Sequence, residues 1–278
     1  MPTRRRFAQV DVFTAKPLYG NPVAVILEAD GHDSAQMQQI AQWTNLSETT
    51  FVLPATEDGA GYQVRIFTPT EELPFAGHPT LGTAHAVVEA GIAVPKNGKL
   101  VMQCKAGLVE VSVDEQGLSF RLPRFVPRAT VGADELPGIL GVASLIGDAE
   151  TIDTGPHWLI VRVENVAALT PDPSRLKLHL ARDGATGLTA YSQTKSGEIA
   201  VRSFFFTDGM VEDPVCGSGN AAVAVHRIRA RTIGEGDAYL ARQGQQIGRD
   251  GEIRVRIEDG NVHVGGHCVT CVEGNFVL

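Results

Sequence analysis

The alternation of apolar and polar positions predicts β-strands along much of the chain. Residues 7–12 alternate and include an acid, which is typical of a half-buried strand and not of a signal peptide. Two further segments, Gly107–Asp114 and Gly251–Glu258, each begin at a turn glycine and then alternate strictly. Each is followed by another turn glycine, Gly117 or Gly260, and by a second short strand.

Two other segments carry small or apolar residues on nearly every face, which predicts buried helices. The first is expected to open at Pro79, where a missing N–H does no harm, and to end before a capping glycine, Gly91. The second begins at about Gly219 and has the same character over its first two turns. A third helix is predicted over residues 34–43, with Ser34 as its N-cap.

These segments occur in matched pairs and in the same order, which indicates an internal duplication. An Arg-x-Phe strand and a loop precede Gly77, and a second Arg-x-Phe strand and a loop precede Gly217, about half a chain later. We therefore predict an α+β fold of two pseudo-symmetric halves, each a curled, mostly antiparallel sheet around a central helix. The halves are expected to span residues 1–124 and 125–278, with the last strand free to cross back to the first half.

The composition favours a globular protein and argues against several classes of partner. The chain has 278 residues, of which 43% are hydrophobic, and a formal net charge of −8. Its only basic run is residues 4–6, so a nucleic-acid partner is not expected. No apolar run approaches the roughly 18 residues that a membrane span requires. Four cysteines are too few for a disulfide scaffold, and we therefore expect a cytoplasmic protein.

Both matched segments place a glycine at the start of a buried helix, and this arrangement favours anion binding. The first N–H groups of a helix lack internal partners and carry the positive end of its dipole. Glycine allows a ligand to approach that backbone closely. If the halves pack about a pseudo-twofold axis, Gly77 and Gly217 would converge on one cleft that holds a small carboxylate. The alternative is that both glycines only form tight turns.

Polar residues beside these glycines are candidates for chemistry, and each also has a purely structural interpretation. The helix dipole is expected to keep His78 neutral near pH 7, although a histidine there could serve only as a cap. Asp213 could cap the second helix, or it could orient a catalytic group or a substrate amine. Ser218 could cap the same helix, bind substrate, or do both.

Glu48 is the only acid in a segment that leads into an apolar, β-branched strand. Desolvation at the mouth of such a strand would raise the pKa of Glu48, which suits general acid–base catalysis. On the residues alone, a solvated glutamate at a strand edge is the simpler interpretation.

The sequence does not predict a metal site. Cys268 and Cys271 have the spacing of half a zinc site, but no second half occurs elsewhere in the chain. His263 and His267 lie in an alternating region, where their spacing separates them by about 13 Å at ~3.3 Å per residue.

Several motifs resemble those of the PhzF family, the phenazine-biosynthesis isomerases and their relatives. They are Asp11-Val12-Phe13, Gly20-Asn21-Pro22-Val23-Ala24-Val25, Leu46-Ser47-Glu48-Thr49-Thr50-Phe51, Arg65-Ile66-Phe67-Thr68-Pro69, Leu73-Pro74-Phe75-Ala76-Gly77-His78-Pro79-Thr80-Leu81-Gly82, Glu212-Asp213-Pro214-Val215-Cys216-Gly217-Ser218-Gly219, and Gln243-Gly244 with Gly248-Arg249. They follow one another in order from about residue 7 to residue 278, so the resemblance covers nearly the whole chain.

The resemblance implies a diaminopimelate-epimerase-like fold, a homodimer and no cofactor. In the phenazine enzyme, a glutamate at the position of Glu48 moves a proton within trans-2,3-dihydro-3-hydroxyanthranilate, and residues matching His78, Asp213 and Ser218 surround that substrate. We accordingly predict that Glu48, His78 and Asp213 are catalytic. The predicted substrate-binding residues are Asn21, Gly77, Gly217, Ser218 and Gly219.

Three functions stay open on this basis. The leading one is a cofactor-independent isomerase that acts on a small carboxylate in a cleft between the halves. The second is an amino-acid racemase or epimerase, because such enzymes of this fold use two opposed cysteines. Here Ala76 stands at the first cysteine position and Cys216 at the second, and a thiol at a helix N-terminus could be a reactive thiolate. The third is a catalytically silent small-molecule-binding protein, which would have little reason to keep Glu48.

Overall fold

The computed structural model describes residues 4–122, 125–129 and 132–277. In the first stretch the strands are β1 (Arg4–Val12), β2 (Asn21–Ile26), β3 (Thr49–Leu53), β4 (Tyr62–Phe67), β5 (Glu72–Leu73), β6 (Lys99–Cys104), β7 (Gly107–Asp114) and β8 (Gly117–Arg121). The helices of this stretch are α1 (Ser34–Thr44) and α2 (Gly77–Glu89).

The remaining stretches contain ten strands and three α-helices among the described residues. The strands are β9 (Val126–Ala129), β10 (Glu150–Asp153), β11 (His157–Arg162), β12 (Gly187–Gln193), β13 (Ile199–Phe206), β14 (Met210–Asp213), β15 (Ala238–Gln243), β16 (Gly251–Glu258), β17 (Asn261–Gly266) and β18 (Cys268–Val277). The helices are α3 (Leu136–Leu140), α4 (Pro173–Asp183) and α5 (Gly217–Arg229).

The chain folds into two compact units. The first consists of Met1–Phe120 and Gly265–Leu278, and the second of Arg121–Val264. Strand β18 pairs antiparallel with β1, so the C-terminal strand belongs to the first unit. The predicted boundary follows residue 124. Residues 123–124, on its first side, lie outside the described residues.

Both units repeat one order of strand pairing, and this confirms the predicted duplication. In the first unit β2 runs parallel to β3, which pairs antiparallel with β4, and β4 pairs antiparallel with β5 and parallel with β6. In the second unit β11, β12, β13, β14 and β15 repeat the same senses in the same order. Each unit then adds an antiparallel strand, β7 on β6 and β16 on β15.

An ion pair also occurs in both copies. Arg65 on β4 forms a bidentate ion pair with Glu72 on β5, with Nε–Oε1 at 2.8 Å. Arg202 on β13 contacts Glu212 on β14 in the same way, with Nη2–Oε2 at 2.7 Å. A planar guanidinium matches a carboxylate in this geometry, so each pair fixes the short strand that leads into the buried helix.

The buried helices are the two expected ones, and each packs against the strands of its own unit. Helix α2 contacts β1, β2, β3 and β18, while α5 contacts β10, β11, β12 and β16. Both helices begin earlier than predicted, at Gly77 and Gly217 instead of at Pro79 and about Gly219. Pro79 still lies in the first turn, where a backbone N–H would have no intrahelical partner, so its missing N–H does no harm. Gly91 follows α2 with φ of 69°, the left-handed conformation expected of a helix terminator.

The predicted N-cap of α1 is wrong by one residue. Asp33, not Ser34, caps the helix: its carboxylate accepts a hydrogen bond from the Gln36 N–H at 2.9 Å. The Gln36 side chain accepts one from the Asp33 N–H at 3.0 Å in return. This reciprocal capping box satisfies two backbone donors, which a serine at the next position would not do.

No helix among the described residues is long and apolar enough to cross a membrane.

Candidate active site

Glu48 lies at the start of a buried parallel strand pair, as the sequence predicts. It directly precedes β3, and its backbone carbonyl accepts a hydrogen bond from the N–H of Ala24 on β2 at 3.4 Å. The neighbouring residues Thr49 and Thr50 are fully buried, whereas the Glu48 side chain keeps 15% of its surface exposed. The carboxylate is therefore shielded by protein and still within reach of a ligand.

His78 faces this carboxylate from the first turn of α2. Its Nε2 lies 3.2 Å from Oε2 of Glu48, and its Nδ1 lies 3.4 Å from Nδ2 of Asn21. The Nε2–Oε2 distance is short enough for a hydrogen bond between the two groups. Asn21 is the first residue of β2 and is buried. The structure thus brings three predicted site residues together within the first unit.

Burial keeps His78 uncharged. Desolvation lowers its pKa from 6.5 to about 3, and a hydrogen bond with the backbone of Pro22 opposes this only in part. Because proline has no N–H, the acceptor in that bond is the Pro22 carbonyl. The sequence predicts a neutral ring because of the helix dipole; the ring is neutral, but burial is the main cause. One nitrogen of such a ring donates and the other accepts.

Asp213 ends β14 and is held at the entry to α5. Its carboxylate accepts a hydrogen bond from the Val215 N–H at 3.0 Å. Burial raises the pKa of Asp213 to about 6, while hydrogen bonds from Val215 and the Cys216 thiol lower it and the charge of Glu212 adds to the rise. Asp213 does not cap the helix, because Cys216 holds the N-cap position. Near pH 7 it is a carboxylate that titrates just below neutrality.

Cys216 is a hydrogen-bonding group and not a reactive thiolate. Its Sγ accepts a hydrogen bond from the Gly219 N–H at 3.2 Å and lies 3.6 Å from Oγ of Ser218. Burial, with the charge of Asp213 added, raises the pKa of the thiol well above 9. The expected lowering by the helix N-terminus is therefore wrong, because desolvation outweighs the dipole. A thiol that stays protonated is poorly suited to act as a base.

Ser218 is positioned by two residues that lie far away in the sequence. Its Oγ accepts a hydrogen bond from the indole N–H of Trp158 at 3.0 Å, and its carbonyl accepts one from the Thr154 hydroxyl at 3.3 Å. The side chain does not cap α5, since Cys216 occupies that position. Trp158 was not among the predicted site residues, because nothing local in the sequence marks a partner so far along the chain.

At two of the predicted site glycines, close packing alone explains why the residue is glycine. A Cβ on Gly77 would lie 2.9 Å from the ring of Phe120. A Cβ on Gly219 would lie 2.6 Å from Oγ1 of Thr189, and the Gly219 N–H is already engaged by Cys216. These contacts require glycine whether or not a ligand binds. Ligand binding by Gly77, Gly217 and Gly219 stays a prediction.

Buried amides that the prediction missed hold the loop before α5. The Gln243 amide donates to the Asp213 carbonyl at 3.0 Å and accepts from the Asn220 side chain at 2.9 Å. Asn220 also donates to the Cys216 carbonyl at 2.9 Å. Gly244, with φ of 97°, lets the chain pass the Pro214 carbonyl, which a Cβ would approach to 2.6 Å. The Gln243-Gly244 motif was the available signal for this support.

The positions of the His, Cys, Asp and Glu side chains bear on whether the described residues could bind a metal ion. Across residues 4–122, 125–129 and 132–277, no group of three or more His, Cys, Asp or Glu side chains could hold a metal ion. Cys268 and Cys271 are both free thiols.

Comparison with known proteins assigns the chain to a family. A family model described as "PhzC-PhzF: Phenazine biosynthesis-like protein" matches residues 10–274. The chain belongs to this PhzF family. Antisense-enhancing sequence 1 of Schizosaccharomyces pombe is 38% identical over 295 residues, covering 99% of this chain and 100% of the relative. The trans-2,3-dihydro-3-hydroxyanthranilate isomerase of Pseudomonas aeruginosa is 34% identical, covering 98% of this chain and 99% of the relative.

A solved structure agrees with the family assignment. The crystal structure of a Bacillus anthracis phenazine biosynthesis protein of the PhzF family matches with a TM-score of 0.86 at 25% identity, covering 99% of this chain and 100% of that one. The predicted α+β fold of diaminopimelate-epimerase type is thereby confirmed. The family and the names of its relatives identify this PhzF protein as an isomerase.

Proposed function

We propose that this PhzF protein is a cofactor-independent isomerase that moves a proton within a small carboxylate such as trans-2,3-dihydro-3-hydroxyanthranilate. The observation that carries the proposal is the Glu48–His78 pair, with Nε2 and Oε2 at 3.2 Å and the imidazole held neutral by burial. A neutral imidazole beside Glu48 offers a hydrogen-bond partner without adding a second buried charge. The relative from Pseudomonas aeruginosa is named for an isomerisation of this kind.

In the proposed reaction Glu48 acts first as a base and then as an acid. Its carboxylate removes a proton from a carbon that conjugation has made acidic, and the electron pair of the broken C–H bond moves into the conjugated system. The resulting Glu48 carboxylic acid then returns the proton to another carbon of the same molecule. Because the one N–H of the neutral His78 ring donates to the Pro22 carbonyl, its other nitrogen can accept a hydrogen bond from the acid form of Glu48.

Groups of the second unit are proposed to bind the substrate. Asp213, ionised above about pH 6, would accept hydrogen bonds from an amine or hydroxyl of the substrate. The Ser218 hydroxyl, held by Trp158, would provide a further contact. The N–H groups at the starts of α2 and α5 are the proposed donors to the substrate carboxylate.

Incubation of the full chain with trans-2,3-dihydro-3-hydroxyanthranilate tests the proposal. The expected result is an isomer of unchanged mass, identified by mass spectrometry and NMR, that forms equally well after dialysis against a chelator. A substrate that is bound but never converted would instead favour a catalytically silent binding protein.

Changing Cys216 to alanine separates the isomerase from the racemase. The thiol is buried, protonated and hydrogen-bonded to Asp213, so alanine should keep most of the activity, within about tenfold. Because the thiol lowers the pKa of Asp213, its loss should also move the acidic limb of the pH–rate profile to higher pH. In a two-base racemase the same change would abolish activity.

Changing Gly217 to valine tests the anion-binding role of α5. A branched Cβ at the second helix start should obstruct a ligand that approaches the backbone, and we expect substrate affinity to fall by about tenfold or more. Gly209→Val is the matched control, because a Cβ at Gly209 meets nothing within 4 Å. Calorimetric binding and thermal unfolding are measured on both variants. Unfolding of Gly217→Val without a selective loss of affinity would show that the glycine is only structural.

A further inference from the structure

A small cavity in the second unit lies at the far end of α5 from Ser218. Its volume is about 90 Å³, and it is lined by Arg162, Tyr191, Gln193, Ile199, Arg227 and Thr232. Arg227 follows Ser218 by nine positions on α5, which corresponds to about 14 Å along the helix axis. The cavity is therefore separate from the helix N-terminus proposed to bind substrate.

The guanidinium of Arg227 is buried without a counter-charge. Only 8% of the residue is exposed, its charged group stacks on the ring of Tyr239 at 4.3 Å, and its Nη1 has no hydrogen-bond partner. Arg162, which is half-buried, lines the same cavity. Within the described part of the chain neither arginine forms an ion pair with a carboxylate. A buried cation in this state is unfavourable unless an anion joins it.

The remaining lining groups are suited to a polar ligand. The Tyr191 hydroxyl is hydrogen-bonded to Nδ1 of His226 at 3.0 Å, and the charges of Arg162 and Arg227 oppose the rise in the pKa of Tyr191 that burial causes. The Thr232 hydroxyl donates to the Arg227 carbonyl at 3.0 Å, which fixes the backbone where α5 ends. Gln193 is exposed, so the cavity has a polar rim at the surface.

We propose that this cavity binds a small divalent oxyanion, of the size of phosphate or sulfate, between Arg162 and Arg227. The volume holds several water molecules but is well below the roughly 300 Å³ at which pockets for drug-sized ligands begin. A free ion therefore fits, and a nucleotide or a sugar phosphate does not. Guanidinium groups match the geometry of such oxyanions, and two positive charges favour a dianion over a monoanion.

Calorimetric titration of the full chain with inorganic phosphate, in a buffer without other oxyanions, tests this proposal. The wild type should bind one phosphate saturably. Arg162→Gln should weaken binding by about tenfold or more, because one charge-assisted contact is lost. Arg175→Gln removes an exposed guanidinium of the same unit that contacts the Gly138 carbonyl, and it should bind phosphate like the wild type.

Competition on the wild type keeps the proposal testable even if Arg162→Gln does not fold. Sulfate should displace phosphate, acetate should not, and glycerol 3-phosphate should bind more weakly than the free ion. The proposal is overturned if the wild type shows no saturable phosphate binding, or if binding survives Arg162→Gln. It is also overturned if phosphate binding is lost in Gly217→Val instead, or if glycerol 3-phosphate binds more tightly than phosphate.

Discussion

Glu48→Gln is expected to lower turnover by about a hundredfold or more while the fold stays intact. Glutamine keeps the shape of the side chain and can still form a hydrogen bond with His78, but it cannot take up and release a proton. The loss should appear in kcat more than in KM, because the carboxylate acts on the reacting carbon and contributes little to binding. Steady-state kinetics and a thermal unfolding curve of the purified variant measure both effects.

Two further variants serve as comparisons for Glu48→Gln. Glu71→Gln neutralises an exposed acid of the same unit and should have wild-type kinetics. Glu48→Asp keeps the carboxylate but withdraws it by one methylene, so its activity should fall between that of the wild type and that of Glu48→Gln. Near wild-type turnover in Glu48→Gln on any accepted substrate would exclude Glu48 as the proton shuttle.

Asp213→Asn should lower kcat/KM by about a hundredfold and remove one limb of the pH–rate profile. The pKa of Asp213 is raised by burial to about 6, so the carboxylate is ionised above that pH. If the ionised form binds the substrate, wild-type activity should fall as the pH decreases through about 6. The asparagine variant cannot titrate there and should show no such fall.

Asp208→Asn is the control, because it neutralises an exposed aspartate of the same unit. Its pH profile should match that of the wild type. An inflection near pH 6 that persists in Asp213→Asn would assign the titration to another group. An increase in wild-type activity below pH 6 would indicate that protonated Asp213 acts as an acid, and not as an ionised binding group.

The features that sequence predicts best here are periodic or repeated. Strict alternation identifies β7 and β16, and small residues on every face identify α2 and α5. The repeated order of these elements predicts the two-part fold without any knowledge of long-range contacts. Glu48, His78 and Asn21 could be proposed because motif resemblance marks them, and the structure brings them into contact.

The features that sequence misses depend on tertiary burial or on distant partners. A helix N-terminus alone favours a thiolate at Cys216, but burial reverses the direction of the pKa shift. The glycine at position 77 is required by Phe120, a residue of a later strand. Trp158 holds Ser218, and Arg162 and Arg227 share one cavity, only because helix α5 packs against strand β11, which lies far away in the sequence. No local pattern records these contacts.

The most direct test of the account is incubation in D2O, in separate reactions, with trans-2,3-dihydro-3-hydroxyanthranilate and with free D- and L-amino acids. Mass spectrometry and chiral chromatography follow each reaction for the wild type, Glu48→Gln and Cys216→Ala. The account predicts that the wild type and Cys216→Ala isomerise the first substrate, that Glu48→Gln does not, and that no variant exchanges the amino acids. Stereoinversion of an amino acid with incorporation of deuterium, present in the wild type and lost in Cys216→Ala, would contradict it and establish a racemase.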